Sequence, residues 1–410
     1  MRADYDAIIV GSGPAGATAA YFLGQAGWNV LVLEKETLPR YKTCGGGISL
    51  SFLKTVFPFS FDEVVESTLE GMTYDYKSFS ASVPFQKGIV GMVMRSRFDA
   101  FILEHANVEV REGTGVHTVV EMADRVAVET DAGEEFTARY LIGADGANSV
   151  VAHSLGLRSK KSSAAAIEVE VEVPPSVQEK YASQAVFIFG ELRLGYMWIF
   201  PKDGHLSVGL AAMKPRHREL KDKLRQTMKK YGISLEGAKF HGHPIPLYSR
   251  NEKIATQRCF LVGDAAGLVD PFSGEGIRYA IKSGRLIAGA LLSGQAEQYQ
   301  KLVYRQIGFN HMLARYVAQF FYHFQGLCLV LGAPNPFTTQ AIVELLSDRA
   351  ATVEVMLWAI LTLPVYAGTE LVALLAGVLK GPERAARIRQ AVYTLPVIGG
   401  QSLGSHQSPG

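Results

Sequence analysis

Residues 5–36, YDAIIVGSGPAGATAAYFLGQAGWNVLVLEKE, constrain the fold more tightly than any other stretch of the chain. Ala7 to Val10 is a short apolar run suited to a buried parallel strand. Gly11, Gly13 and Gly16 follow in the spacing G-x-G-x-x-G, with Ala15 inside the turn into an Ala-rich helical pattern that stops at Gly27. Trp28 to Leu33 is a second apolar run, closed by Glu34 and Lys35. The spacing gives each glycine a task. Gly11 permits a tight turn, Gly13 lets backbone approach a pyrophosphate, and Gly16 lets helix and strand pack closely. N–H groups at the helix start carry partial positive charge for the phosphates, and Glu34 is placed to accept hydrogen bonds from an adenosine ribose. Strand, turn, helix, strand and terminal acid together predict a dinucleotide-binding unit.

A second motif indicates which dinucleotide. Arg258 to Val262 reads as an apolar strand capped by Gly263 and Asp264, and a helix opens at Gly276 and Ile277 after the loop LVDPFSGE. An acid at a strand end suits a ribitol hydroxyl, and the new helix start can aim its N–H groups at a flavin carbonyl. Nicotinamide dinucleotides need no such second site, whereas the long, extended FAD does. FAD is therefore the expected cofactor. Between the two motifs, Pro39, Arg40 and Lys42 precede Cys44 and the glycines Gly45, Gly46 and Gly47. We read this as a cofactor-facing loop rather than a surface loop, because consecutive glycines allow close contact with a planar ligand. Arg95 stands at a strand-to-helix junction, where it serves either a phosphate or flavin edge or a surface ion pair. Tyr140 to Gly146 resembles the A-D-G-x-x-S element of flavin monooxygenase-type proteins, although Asp145-Gly146 is also ordinary turn chemistry.

The composition bounds the rest. With 48% apolar and 20% charged residues, 410 residues supply core for about two to three domains. A formal charge of +2 without a basic run gives no nucleic-acid footprint. Three unpatterned cysteines indicate a reducing compartment, and the early first strand leads us to expect no secretory leader. Strand patterns recur over 107–151. From Ala164 to Pro246 the strands AAIEVEVEV, 185–190, 194–201 and 206–213, with a charged helix over 216–231, predict an inserted, mostly antiparallel sheet. The expected organisation is α/β: a Rossmann-like FAD-binding domain (1–70, 95–163, 251–300), a substrate domain (71–94, 164–250), a C-terminal helical region (301–398) and a flexible tail (399–410). On a strand, Tyr196, Trp198 and Phe200 share one face, which suits either core packing or an aromatic wall for a ligand.

Taken together these residues resemble the geranylgeranyl reductase family, within the para-hydroxybenzoate-hydroxylase-like flavoproteins, over about residues 4–330. The family's P-R-x-K-x-C-G-G loop appears as Pro39, Arg40, Lys42, Cys44, Gly45 and Gly46. Its Y-x-W-x-F-P signature with a downstream V-G appears as Tyr196, Trp198, Phe200, Pro201, Val208 and Gly209. The resemblance implies hydride delivery from reduced flavin N5 to an isolated alkene of a prenyl chain, with a proton reaching the other carbon. An unactivated alkene is a poor hydride acceptor, so alignment must supply much of the catalysis. It further implies that Tyr196, Trp198 and Phe200 line an apolar channel, and that Cys44 shapes the site or relays the proton. The substrate would be a prenylated lipid, quinone or pigment precursor. The electron donor stays open between NADPH and ferredoxin, since no second dinucleotide fingerprint is present. Competing readings are an aromatic hydroxylase, a halogenase (whose W-x-W-x-I-P signature Tyr196 departs from) and a membrane-associated flavoprotein exchanging electrons with quinone. No CxxC pattern supports an iron–sulfur centre.

Residues 311–330 and 353–379 are the most apolar stretches outside the strands. The second approaches the roughly 20 residues that span a bilayer, but Pro364 splits it and Gly368 and Glu370 interrupt it. We expect two short helices there and, with Lys380, Arg384, Arg387 and Arg389 following, peripheral contact with the cytoplasmic face of a membrane.

Overall fold

The computed structural model describes residues 3–159, 162–213 and 219–393. The first strand, Tyr5–Val10, pairs in parallel with Val30–Leu33 on one side and Glu135–Gly143 on the other. Glu109–Arg111 extends this parallel core beyond Val30–Leu33, and Cys259–Leu261 joins it against Glu135–Gly143. Val126–Thr130 and Val116–Glu121 complete the seven-stranded sheet as an antiparallel flank. Ala7, Ile8 and Ile9 have no exposed surface, as parallel strands covered on both faces require.

The helix Pro14–Gln25 crosses back over this sheet because its glycines remove the side chains that would keep it away. A Cβ on Gly16 would lie 2.0 Å from the Gly11 carbonyl oxygen, and one on Gly284, in the helix Ile277–Leu292, would lie 2.3 Å from that of Ala15. Gly11 itself takes φ +97°, with the Ala144 carbonyl 2.5 Å from any Cβ. Both the conformation and the space there demand glycine.

A second seven-stranded sheet runs in the order His241–Pro246, Ser163–Val171, Leu206–Met213, Gly195–Pro201, Gln184–Phe189, Gly71–Tyr76 and Phe79–Pro84. Every pair is antiparallel except Gln184–Phe189 with Gly71–Tyr76. Alternation divides its faces. Met197, Ile199, Val208 and Leu210 pack with Leu224 and Met228 of the helix Leu220–Lys230. Tyr196, Trp198 and Phe200 turn the other way, beside Phe187 and Phe189. The start expected for that charged helix, at Arg216, lies outside the described residues, as does the tail 399–410.

Two details differ from the sequence reading. Val90–Val93 leaves the large second sheet and instead pairs with Gly47–Ser49 and Val65–Thr68, forming a third sheet beneath the cysteine loop. The apolar stretch after residue 352 is one continuous helix, Thr352–Lys380, and not two short ones joined at Pro364. Pro364 removes one backbone bond, to the carbonyl of Ile360, yet the helix continues through it for its full 29 residues. Thr362 and Thr369 also bond carbonyls one turn back, at Trp358 and Val365.

Candidate active site

A single cavity of about 1220 Å³ runs from the first sheet to the C-terminal helices. Small-molecule sites usually occupy roughly 300–1000 Å³, so this one has room for a cofactor and a second ligand together. Gly11, Gly13, Ala15, Glu34, Lys35 and Arg40 line its first end; Cys44 to Gly47, Arg95, Asp264, Gly276 and Ile277 line its middle. Tyr196, Trp198 and Phe200 form a wall of its far end. Gly16 and Gly263 stand behind the lining. Gly16 serves helix–strand packing, and Gly263 (φ +52°) turns the chain after its strand, its N–H donating to Ser283 Oγ at 2.9 Å.

The first end is built for a dinucleotide. Gly13 caps the helix Pro14–Gln25 without a side-chain cap, and a Cβ there would meet only Arg40, 3.7 Å away. The helix-start N–H groups thus face open space with a guanidinium opposite, a cradle for a pyrophosphate. Glu34 is 3% exposed and accepts the Ser12 N–H at 2.9 Å, with Arg40 Nε 3.4 Å away. Burial alone would raise this carboxyl, but the Ser12 hydrogen bonds and the Arg40 charge hold it below its ordinary value. Lys35, by contrast, is exposed at the rim, with Glu36 3.8 Å from its ammonium.

Arginines converge in the middle. Arg95 grips Asp99 with two bonds, at 2.7 and 2.8 Å, and Arg40 reaches the same carboxylate at 3.2 Å. Asp99 is 1% exposed, so Arg95, for which the sequence allowed either a phosphate or flavin edge or a surface ion pair, makes a buried ion pair and lines the cavity beside Arg40. Burial lowers Lys42 to about 8 while it touches His243, and burial with the nearby Lys42 lowers His243 to about 4. Asp264 is raised by burial, with Lys42, Arg95 and Arg158 opposing. The acid at the strand end and the helix start at Gly276–Ile277 both reach the cavity, as a flavin's ribityl chain and ring would require. The residues fit FAD.

The cysteine loop meets the aromatic strand directly. A Cβ on Gly45 would lie 2.7 Å from the Phe200 ring and 3.3 Å from Trp198 Nε1. Gly46 (φ +73°) passes within 2.0 Å, by the same measure, of the Val93 carbonyl. Beyond this contact the cavity turns apolar: Phe187, Phe189, Phe321, Leu329 and Leu346 continue it, and Met356, Ala359 and Leu363 of the long helix roof it.

Several contributors were missed in the sequence. Tyr74, Phe187 and Phe189 add to the aromatic wall from neighbouring strands; register decides that, and no local motif announces it. Glu168 stands behind Cys44, and its signal was present: in AIEVEVEV the acids alternate with valines, which places Glu168 and Glu170 on one face of a buried strand.

Comparison with known proteins agrees with this geometry. Residues 4–51 and 85–307 match the family model described as FAD binding domain. An uncharacterised protein of Methanosarcina barkeri is 34% identical over 328 residues, which cover 78% of this chain and 84% of that one. The geranylgeranyl diphosphate reductase of Rhodobacter capsulatus is 32% identical over 300 residues, covering 70% and 75%. Among solved structures, a geranylgeranyl bacteriochlorophyll reductase-like protein from Thermoplasma acidophilum superposes with a TM-score of 0.71 at 21% identity, covering 95% of this chain and 99% of its own.

Proposed function

This chain belongs to the geranylgeranyl reductase family of FAD-binding flavoproteins, and from that premise we propose that it saturates carbon–carbon double bonds of a prenyl chain. One observation carries the reading: the dinucleotide cradle and the aromatic gallery are a single continuous cavity, joined at Cys44. Bound in the cradle, reduced FAD supplies a hydride. The chain's own residues do the rest. Trp198, Phe200 and Phe187 give an extended apolar chain flat surfaces to lie against, fixing one alkene at a time and excluding water. Cys44 lines the junction with Arg95 at its side, and in this reading its thiol would shape the site or relay the proton. Loss of C=C bonds from a prenyl substrate, following anaerobic reduction of the protein, tests the proposal.

We also propose peripheral attachment to the cytoplasmic face of a membrane. Among the described residues, one helix is long and apolar enough to cross a bilayer, Val353–Lys380. Two features favour lying on the surface over spanning. The following helix, Pro382–Tyr393, folds back against it, with Arg389 paired to Glu370 at 2.8 Å. Carrying that basic helix into hydrocarbon would be costly. The exposed apolar residues Phe320, Leu327, Leu331 and Ile360 also line the cavity, so the apolar surface leads into the site. A prenyl lipid or quinone would enter from the bilayer by that route. The free thiols Cys44, Cys259 and Cys328 accord with a reducing compartment.

A further inference from the structure

Behind the cysteine loop lies a buried acid that the outlined chemistry does not use. Glu168, on the strand Ser163–Val171, has no exposed surface and does not line the cavity. Its Oε2 accepts the Cys44 amide N–H at 2.6 Å and the Tyr41 hydroxyl at 3.0 Å. Its Oε1 accepts the Ser207 hydroxyl at 2.8 Å, and Ser207 Oγ in turn accepts the Trp198 indole N–H at 3.5 Å. One carboxyl therefore ties the cysteine loop to the aromatic strand. An acid without partners at such a site would be strongly disfavoured, and a fully satisfied network of this kind selects one geometry over its alternatives.

We propose that Glu168 is a positioning residue for the reduction, holding Cys44 and Trp198 in the mutual placement against which the alkene seats. The proposal rests on the prenyl-reductase reading, but its structural half stands apart from it. Gly45 makes the placement sensitive: with no side chain of its own, its backbone packs against the Phe200 ring and Trp198 Nε1, so a shift of the loop is felt directly by the aromatic strand.

The titratable groups facing Glu168 are Tyr41 and Cys44 on the loop, Glu170 further along its own strand, His241 directly across on the neighbouring strand, and Lys202 after the strand Gly195–Pro201. His205 pairs with Glu170 at 3.1 Å, and the Tyr41 ring packs against His241 at a 39° tilt, centroids 4.3 Å apart. Burial and the Glu170 charge raise Glu168 to about 7. Above that pH the carboxylate accepts from all three donors. Below it one oxygen carries a proton: on Oε1 it turns Ser207 from donor to acceptor, and on Oε2 it opposes the Cys44 amide, which cannot reverse. Glu168→Gln imitates the protonated form, with an NH₂ where one oxygen stood, and still accepts two bonds.

The test uses full-length, FAD-loaded protein, reduced anaerobically and mixed with geranylgeranyl diphosphate from about pH 5.5 to about pH 9. The wild-type reoxidation rate should fall about tenfold as pH drops through about 7, and E168Q should stay near the lower level throughout. A second readout needs no substrate. In a Cys328→Ser background, iodoacetamide should alkylate Cys44 faster in E168Q than with Glu168 intact. Matching pH profiles and matching alkylation rates in the two proteins would overturn the proposal. If the wild type is not reoxidised by the diphosphate, the reductase reading falls, and alkylation alone then decides whether Glu168 positions the loop.

Discussion

Trp198 lies directly across from Gly209 on the neighbouring strand, and a Cβ at position 209 would sit 2.2 Å from the indole Cζ2. The same Cβ would meet the Ile167 carbonyl at 2.5 Å, so the backbone cannot yield on the other side. Gly209 is the seat of the indole. Gly209→Ala should destabilise the protein by about 1–3 kcal/mol, the usual cost of overpacking, and move Trp198 into the cavity. Thermal unfolding checks the first effect. Slower reoxidation by a prenyl substrate with FAD still bound checks the second.

Removing the acid at the end of the second strand should loosen the cofactor. Glu34 holds Ser12 at the turn and faces the dinucleotide end of the cavity. Glu34→Ala should weaken FAD binding by about 1–3 kcal/mol, the range for losing a charged hydrogen bond. Fluorescence titration of the apoprotein with FAD measures it. Lys35→Ala, altering an exposed neighbour, should leave the affinity within a factor of about two.

Much of this was readable in the chain because local chemistry carried it. The glycine fingerprint, Glu34 and the Gly276–Ile277 helix start each need a residue type at a fixed spacing, so sequence alone locates them. The aromatic strand was visible by alternation, and its partner Gly209 by resemblance. What escaped was set by long-range pairing. Phe187 reaches the wall because Gln184–Phe189 pairs with Gly195–Pro201. Glu168 reaches Cys44 across 124 positions of sequence. Pro364 misled because one lost backbone bond does not end a 29-residue helix whose other turns continue on both sides of it.

Glu168 also makes a statement about stability. Burial raises its pKa from an ordinary 4.5 to about 7, so between those values the folded protein keeps a proton that the unfolded chain has released. The stabilising contribution is fully present below the ordinary carboxylate range and is lost as pH rises through about 7. Urea midpoints at about pH 5 and about pH 8 should show the wild type losing about 1–3 kcal/mol more than Glu168→Gln over this interval. Parallel losses in the two proteins would assign the buried proton to another group.

The membrane proposal is best tested by substitutions. Deleting the C-terminal helices would also strip Met356, Ala359 and Leu363 from the cavity roof. Leu361, Val378 and Leu379 are 71%, 78% and 78% exposed on the long helix. Changing all three to Asp should abolish flotation with liposomes containing anionic lipid and leave FAD content and thermal stability near wild type. Flotation that persists would place the contact elsewhere.

The central claim is that this cavity reduces isolated alkenes, and one anaerobic single-turnover measurement addresses it. The FAD-loaded protein is reduced with dithionite, freed of excess reductant and mixed with geranylgeranyl diphosphate under nitrogen, and the product is read by mass spectrometry. The account predicts that the flavin is reoxidised and that product mass rises by two hydrogens for each bond reduced. Cys44→Ala should slow the step about tenfold or more while FAD stays bound. Reduced flavin that persists beside unchanged substrate, yet reacts with oxygen to hydroxylate a small aromatic, would contradict it.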